Sequence, residues 1–264
     1  MQISNLPERA RAASRLLANV YRPEADYRRC TPRGCPEWAG ARPAPTPPLT
    51  MPTRVKICGI TRAEDAELAV QLGAAALGFN FYPPSPRHLA PQAALAIVAK
   101  MPPFVTTVGV FANEPDDRRI AHEAKEARVT VVQLHGPSFP PLDGALREFP
   151  RIRAVAVRED FRPETIREQG GDTVLLDAYD KNLPGGTGKS FPWRLAREAS
   201  RFGTIILAGG LTPENVERAI REVRPFAVDV ASGVESSPGV KDAAKLRAFF
   251  QAVERADRGI DDGS

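Results

Sequence analysis

The chain has 264 residues, 42% hydrophobic and 26% charged, which is enough apolar content for one large buried core and unlike the make-up of a disordered or fibrous chain. No run approaches the roughly 20 apolar residues that a membrane span needs, and the N-terminus lacks the apolar stretch of a secretory signal, so no membrane partner is expected and the cytoplasm is the expected compartment. The formal charge of +4 sits in residues 1–50, where there are eight Arg, no Lys and four acidic residues; the remainder has 28 basic and 28 acidic residues and is neutral, so no nucleic-acid partner is implied.

Residues 1–50 also hold eight prolines, concentrated between Arg42 and Pro48. Such a segment buries too little apolar surface to order itself, and it is expected to be a disordered Arg/Pro-rich tail or a start-site artefact ahead of Met51. An Arg-rich transit peptide fits less well, because the segment is poor in Ser and contains four acids. Cys30 and Cys35 have no further Cys or His nearby to complete a zinc site, and three cysteines in all cannot make a disulfide framework.

From Met51 onward β-branched apolar runs alternate with amphipathic stretches, eight of each. The runs predict strands over Val55–Cys58, Ala76–Phe81, Thr106–Phe111, Val129–Leu134, Ile152–Val157, Val174–Asp177, Thr204–Ala208 and Ala227–Val230. Helical patterns between them include Ala63–Leu72, Asp116–Ala127 and Pro213–Val223, the last with Thr212 as its cap and Pro213 at its first position. Eight βα units predict an α/β fold of the (β/α)8 TIM barrel type over residues 51–255, with a polar C-terminal tail at 256–264. A doubly wound open sheet is the competitor, but it has fewer strands and carries its phosphate loop after the first one, whereas the glycine-rich loops here come late.

In such a barrel the chemistry lies at the C-terminal strand ends. Cys58 ends the first strand and is the only cysteine after Met51. It is a candidate base if its pKa falls below the usual ~8.5, since the thiolate is the proton acceptor, although a lone Cys in a strand is more often an inert small hydrophobe. Lys56 lies two residues away on the same strand face and could assist it, or could equally be a structural or phosphate ligand. Beyond the second strand, Tyr82-Pro-Pro-Ser-Pro-Arg87 is stiffened by three prolines, and Arg87 at its end could grip a carboxylate with two hydrogen bonds. Asp177 ends the apolar run Val174-Leu-Leu, where partial burial would raise its pKa toward that of a proton donor.

Gly186, Thr187 and Gly188 follow the sixth strand, Gly209 and Gly210 the seventh, and Ser232, Gly233 and Val234 the eighth. Glycine-rich loops feeding helix N-termini on neighbouring strands make a phosphate cradle. Gly188-Lys-Ser190 resembles the end of a nucleotide-binding P-loop, but Leu183 stands where that motif needs glycine. Gln133, His135 and Asp229 are placed to line the pocket with Lys56. His88, His122 and His135 lack metal-ligand spacing, so no metal is expected.

Taken in order, Lys56-Ile-Cys-Gly-Ile-Thr61, Gly78-Phe-Asn-Phe-Tyr-Pro-Pro-Ser-Pro-Arg87, Val108-Gly-Val-Phe111, Val132-Gln-Leu-His-Gly136, Leu175-Leu-Asp177, Gly185-Gly-Thr-Gly188, Ala208-Gly-Gly-Leu211 and Val228-Asp-Val-Ala-Ser-Gly-Val-Glu235 closely resemble the phosphoribosylanthranilate isomerases of tryptophan biosynthesis. The resemblance spans Met51 to about Phe250. It implies Cys58 as general base, Asp177 as general acid, Arg87 as ligand of the anthranilate carboxylate, a phosphate held by the loops after strands six to eight, and an Amadori rearrangement that needs no cofactor. It implies a small phosphorylated substrate and a monomer or homodimer. Pro192 and Ala231 depart from the residues common in the family, an acid and a Ser, without touching a proposed catalytic group. The alternatives are a related phosphate-binding barrel, such as indole-glycerol-phosphate synthase or an isomerase with paired acids, and a non-catalytic barrel whose basic tail recruits RNA or acidic partners. The synthase leans on barrel lysines, of which only Lys56 is clear here, and the paired acids would put Asp where Cys58 stands.

Overall fold

The computed structural model describes residues 52–136, 144–157, 161–168, 173–177 and 193–261. Eight parallel strands form a closed barrel: β1 (Arg54–Cys58), β2 (Ala76–Asn80), β3 (Thr106–Ala112), β4 (Val131–His135), β5 (Arg151–Ala156), β6 (Thr173–Asp177), β7 (Thr204–Ala208) and β8 (Ala227–Val230). Each strand pairs with the next, and β8 closes on β1 with Val55 opposite Val228 and Lys56 opposite Asp229. All eight C-terminal ends therefore share one rim. The helices around the barrel are α1 (Ala63–Gln71), α2 (Pro91–Val98), α3 (Asp117–Glu126), α4 (Thr165–Glu168), α5 (Trp193–Ala199), α6 (Val216–Val223) and α7 (Ala243–Asp261). Among the described residues no helix is long and apolar enough to cross a membrane.

The strands read as nearly continuous apolar runs because both faces are covered. Outward residues such as Ile57, Leu77, Phe79, Leu176, Leu207 and Val228 pack against the helices in one large cluster. Inward residues, among them Val108, Val110, Ile152, Leu175 and Ile206, fill the barrel with small neighbours such as Ala154, Ala208 and Ala227.

Several boundaries differ from the sequence expectation. The β4 strand starts at Val131, because Arg128 adopts a left-handed conformation and the Val129 N–H still donates to the Ala124 carbonyl of α3. Between β4 and β5 the described residues contain a 3-10 turn, Ala145–Glu148, in place of the expected α-helix; Pro137, Pro140 and Pro141 precede it and are poor helix formers. Regular helix in α6 begins at Val216, not Pro213. Thr212 nevertheless makes the bonds of a cap: its hydroxyl accepts from the Glu214 N–H, and its own N–H donates to the Asn215 side chain. The final helix runs to Asp261 with Ala256 fully buried, so the polar tail expected from residue 256 is helical as far as 261.

The upper interior is polar. Lys56 and Asp229, both buried, form an ion pair across the β1–β8 seam with Nζ to Oδ1 at 2.8 Å. Across the barrel the Gln133 amide donates to His135 Nε2 at 2.7 Å, an arrangement that requires a neutral imidazole. Burial, reinforced by the Lys56 charge and partly offset by Asp229, lowers the His135 pKa from 6.5 to about 4. A group whose folded pKa is depressed contributes stability that is fully present above its unfolded pKa and lost as pH falls through the folded one. The melting temperature should therefore fall as pH drops from 6.5 toward about 4, and His135→Asn should flatten that part of the profile. An unchanged slope in the variant would show that His135 does not carry the effect.

Candidate active site

The rim encloses a cavity of about 300 Å³. Its walls include Cys58 from β1, Arg87 from the loop after β2, Gln133 and His135 from β4, Asp177 from β6, Gly209 and Gly210 after β7, Asp229 from β8, and Ser232 and Gly233 after β8. Six strand ends or their loops thus bring nearly all the sequence-derived candidates to one space. Gly186, Thr187 and Gly188 lie outside the described residues. Two candidates are placed differently from expectation. Lys56 is not part of the wall; it is buried, held by Asp229. Val234 turns its side chain into the core, and its N–H donates to the Ala231 carbonyl, so it is not part of the cavity lining either.

Cys58 is half-buried and stands opposite Gly78 in the β1–β2 register. A Cβ at Gly78 would lie 2.9 Å from the Cys58 sulfur and 3.1 Å from the Lys56 ammonium, so the missing side chain makes room for both. Burial pushes the thiol pKa up, and Asp229 adds to this; Lys56 and Lys241 oppose it without overcoming it. The downward shift expected for a base is thus not present. The Lys56 ammonium is disfavoured by burial, but Asp229 and Cys58 outweigh this and raise its pKa, so the charge beside the thiol is retained.

Arg87 is held from both ends. The Asn80 side chain donates to the Ser85 hydroxyl, which accepts the Arg87 N–H, so hydrogen bonds reinforce the stiffness of the prolines. The guanidinium forks onto Glu235, with Nε to Oε1 at 2.9 Å and Nη2 to Oε2 at 2.6 Å. That leaves the end-on edge of Nη1 and Nη2 for a ligand carboxylate. The arginine stem crosses Gly59, whose φ is +73° and whose Cβ would meet the Arg87 side chain.

Gly209 and Gly210 have φ of +87° and +62°, left-handed backbone that glycine adopts without strain. The Asn215 side chain donates to the Gly210 carbonyl and fixes the turn. The turn Ser232–Val234 packs directly on it, since a Cβ at Gly233 would run into the Leu211 carbonyl. Two tight glycine turns thus meet at the cavity edge, and turns of this kind are the backbone from which anion sites are built.

Sequence reasoning gave no role to Glu235 or Lys241. The signal for Glu235 was its place at the end of the Val228–Glu235 motif; Lys241 gave none beyond preceding the last helix.

A family model described as N-(5'phosphoribosyl)anthranilate (PRA) isomerase matches residues 55–252. The N-(5'-phosphoribosyl)anthranilate isomerase of Geobacter metallireducens is 49% identical over 201 residues, covering 76% of this chain and 98% of the relative. The crystal structure of phosphoribosyl anthranilate isomerase from Thermotoga maritima is 42% identical with a TM-score of 0.70, covering 77% of this chain and 99% of the other. A further isomerase structure, in complex with reduced 1-(o-carboxyphenylamino)-1-deoxyribulose 5-phosphate, is 40% identical with a TM-score of 0.67 at the same coverage. With the closed eightfold barrel and the candidate residues that line one cavity among the described residues, the chain belongs to the phosphoribosylanthranilate isomerase family.

Proposed function

We propose that Cys58 and Asp177 are the base and the acid of the reaction this chain catalyses, the isomerisation of N-(5'-phosphoribosyl)anthranilate to 1-(o-carboxyphenylamino)-1-deoxyribulose 5-phosphate in tryptophan biosynthesis. The observation that carries the assignment is that the two side chains come from different strands, β1 and β6, and line the same cavity as Arg87 and the glycine turns. Asp177 protonates the furanose ring oxygen as its bond to C1 breaks, and the anthranilate nitrogen supplies the electron pair that makes the iminium. The Cys58 thiolate removes the C2 proton, whose electrons flow toward the iminium to give an enamine, and tautomerisation yields the ketone. The positive nitrogen is the electron sink, which is what a Schiff base supplies elsewhere.

The substrate phosphate sits on the backbone of Gly209, Gly210, Ser232 and Gly233, and its carboxylate on the end-on edge of Arg87. Gln133 Oε1, buried without a hydrogen-bond partner among the described residues, accepts from a ribose hydroxyl. A thiol base persists in a reducing compartment, which agrees with a cytoplasmic enzyme.

Replacing either catalytic group removes a proton-transfer step, worth about two to four orders of magnitude. Cys58→Ala and Asp177→Asn should each lower kcat by about 100-fold or more, with KM changed little, in an assay following loss of substrate fluorescence. Near-normal turnover in either would refute the assignment.

Because the Cys58 pKa is raised, its thiolate is a minor form at neutral pH, and kcat/KM should climb about tenfold per pH unit through the neutral range. Lys56→Met should displace that limb to higher pH, since the ammonium opposes the upward shift. A limb centred near 4, where His135 titrates, with none above neutrality would transfer the base role to His135.

The Geobacter relative is matched over 98% of its length by 201 residues of this chain, and the family model begins at residue 55. These spans support placing the activity in the barrel. A variant lacking residues 1–50 should keep kcat/KM within about twofold of the full chain, whereas loss of activity on deletion would favour a role for that segment.

A further inference from the structure

We propose that Lys241 is a positioning residue for the isomerisation: its ammonium binds the Cys58 main chain and the Glu235 carboxylate that grips Arg87, and so fixes the base and the carboxylate ligand relative to each other. The inference rests on the roles given above to Cys58 and Arg87.

After β8 and its 3-10 turn the chain forms a small hairpin, β9 (Glu235–Ser237) and β10 (Val240–Lys241), before α7. The Lys241 side chain has zero exposure. Its Nζ donates to the Cys58 carbonyl at 2.6 Å, to Glu235 Oε1 at 2.9 Å and to the Ala231 carbonyl at 3.3 Å. An ammonium has three hydrogens, and each is matched. The three acceptors belong to the residue of the base, to the partner of Arg87 and to the residue that leads into the Ser232–Gly233 turn.

Glu235 is the junction of this network. Its Oε1 accepts from Arg87 Nε, Lys241 Nζ and the Gly239 N–H, and its Oε2 accepts from Arg87 Nη2. The hairpin is fastened around it: the Lys241 N–H donates to Asp65 on α1, the Thr61 hydroxyl donates to the Gly239 carbonyl, and Lys245 Nζ donates to the Glu235 carbonyl. A fully buried ammonium is a poor way to fill space, since an apolar side chain of similar size often serves packing as well or better. Here the charge selects three oxygens that lead directly to the site. It also stands near enough to Cys58 to act with Lys56 against the upward shift of the thiol.

The charged groups acting on Cys58 are Lys56, Asp229, Lys241 and Arg87, so loss of one lysine should be visible in its titration. The test uses full-length Lys241→Met and Lys241→Gln, assayed for turnover and for iodoacetamide alkylation of Cys58 from about pH 6 to about pH 10, with the Cys58 peptide read by mass spectrometry. Displacement of a catalytic group by about 1 Å can lower rate about 100-fold. The expected result is kcat lower by roughly 10–100-fold, KM raised, and the alkylation midpoint moved to higher pH. Should Lys241→Met fail to fold, Lys241→Gln, which keeps a donor without the charge, is read by the same criteria.

A folded variant that melts earlier but keeps kcat, KM and the alkylation midpoint would reduce Lys241 to a structural role and overturn the inference. Cys58→Ala is assayed alongside. If it turns over normally, the base assignment falls and takes this inference with it; an inert Cys58→Ala beside an unaffected Lys241→Met sinks the Lys241 role alone.

Discussion

The ion pair between Lys56 and Asp229 sits where the barrel must close, and the geometry of the site follows from it. A parallel eight-stranded sheet becomes a barrel only when its first and last strands pair, and here that register sets Lys56 opposite Asp229 inside the wall. A buried pair of this kind adds little net stability over an apolar pair, but loss of one partner leaves a charge stranded, at about 3–5 kcal/mol. That asymmetry penalises any slip of β1 against β8 far more than two facing alanines would. The same register brings Cys58, two residues on, to the rim on the inward face, with the ammonium beneath it.

The barrel separates rigidity from chemistry. Its outward strand faces and the inward faces of the helices form a single apolar cluster that fixes the strands, while the interior is filled with small and medium side chains and leaves space at the top. The polar groups that line this space include Gln133 and His135 from β4, Asp177 from β6, and Asp229 from β8. The loops contribute what strands cannot, namely Arg87 held by Ser85 and Glu235 and left-handed glycine turns. Elements distant in sequence converge because every C-terminal strand end points to the same rim.

The strands were legible because parallel strands covered on both faces must be written as apolar runs, and the β7 and β8 spans coincide with those runs. The helices were less so. The Thr212 cap was visible in the sequence, yet one turn of irregular backbone intervenes before α6, since hydrogen-bond capacity does not fix φ and ψ. Within the site, a residue at a strand end reveals its position, which is why Cys58, Asp177 and Asp229 could be placed at the rim. Depth and partnership are not written in periodicity. Lys56 was expected to line the pocket and is buried against Asp229, and the Arg87 fork closes on Glu235, a residue 148 positions away.

The direction of the Cys58 shift follows from depth as well, and it sets how the proposed base must work. The proposed role requires the thiol to reach C2 from within the barrel mouth, where it is buried, and burial favours the neutral form more than the nearby lysines favour the thiolate. A lower pKa would increase the thiolate fraction and weaken each thiolate as a proton acceptor; the raised value does the reverse, leaving few thiolates at neutral pH, each a stronger base. The substrate carries a phosphate and a carboxylate, and both anions raise the thiol pKa further when bound. The cations around the site, Lys56 beside the sulfur, Lys241 behind the Cys58 carbonyl and Arg87 above Gly59, are held by two carboxylates, Lys56 by Asp229 and the other two by Glu235, and in the proposed mechanism each would offset part of the charge that arrives with the ligand.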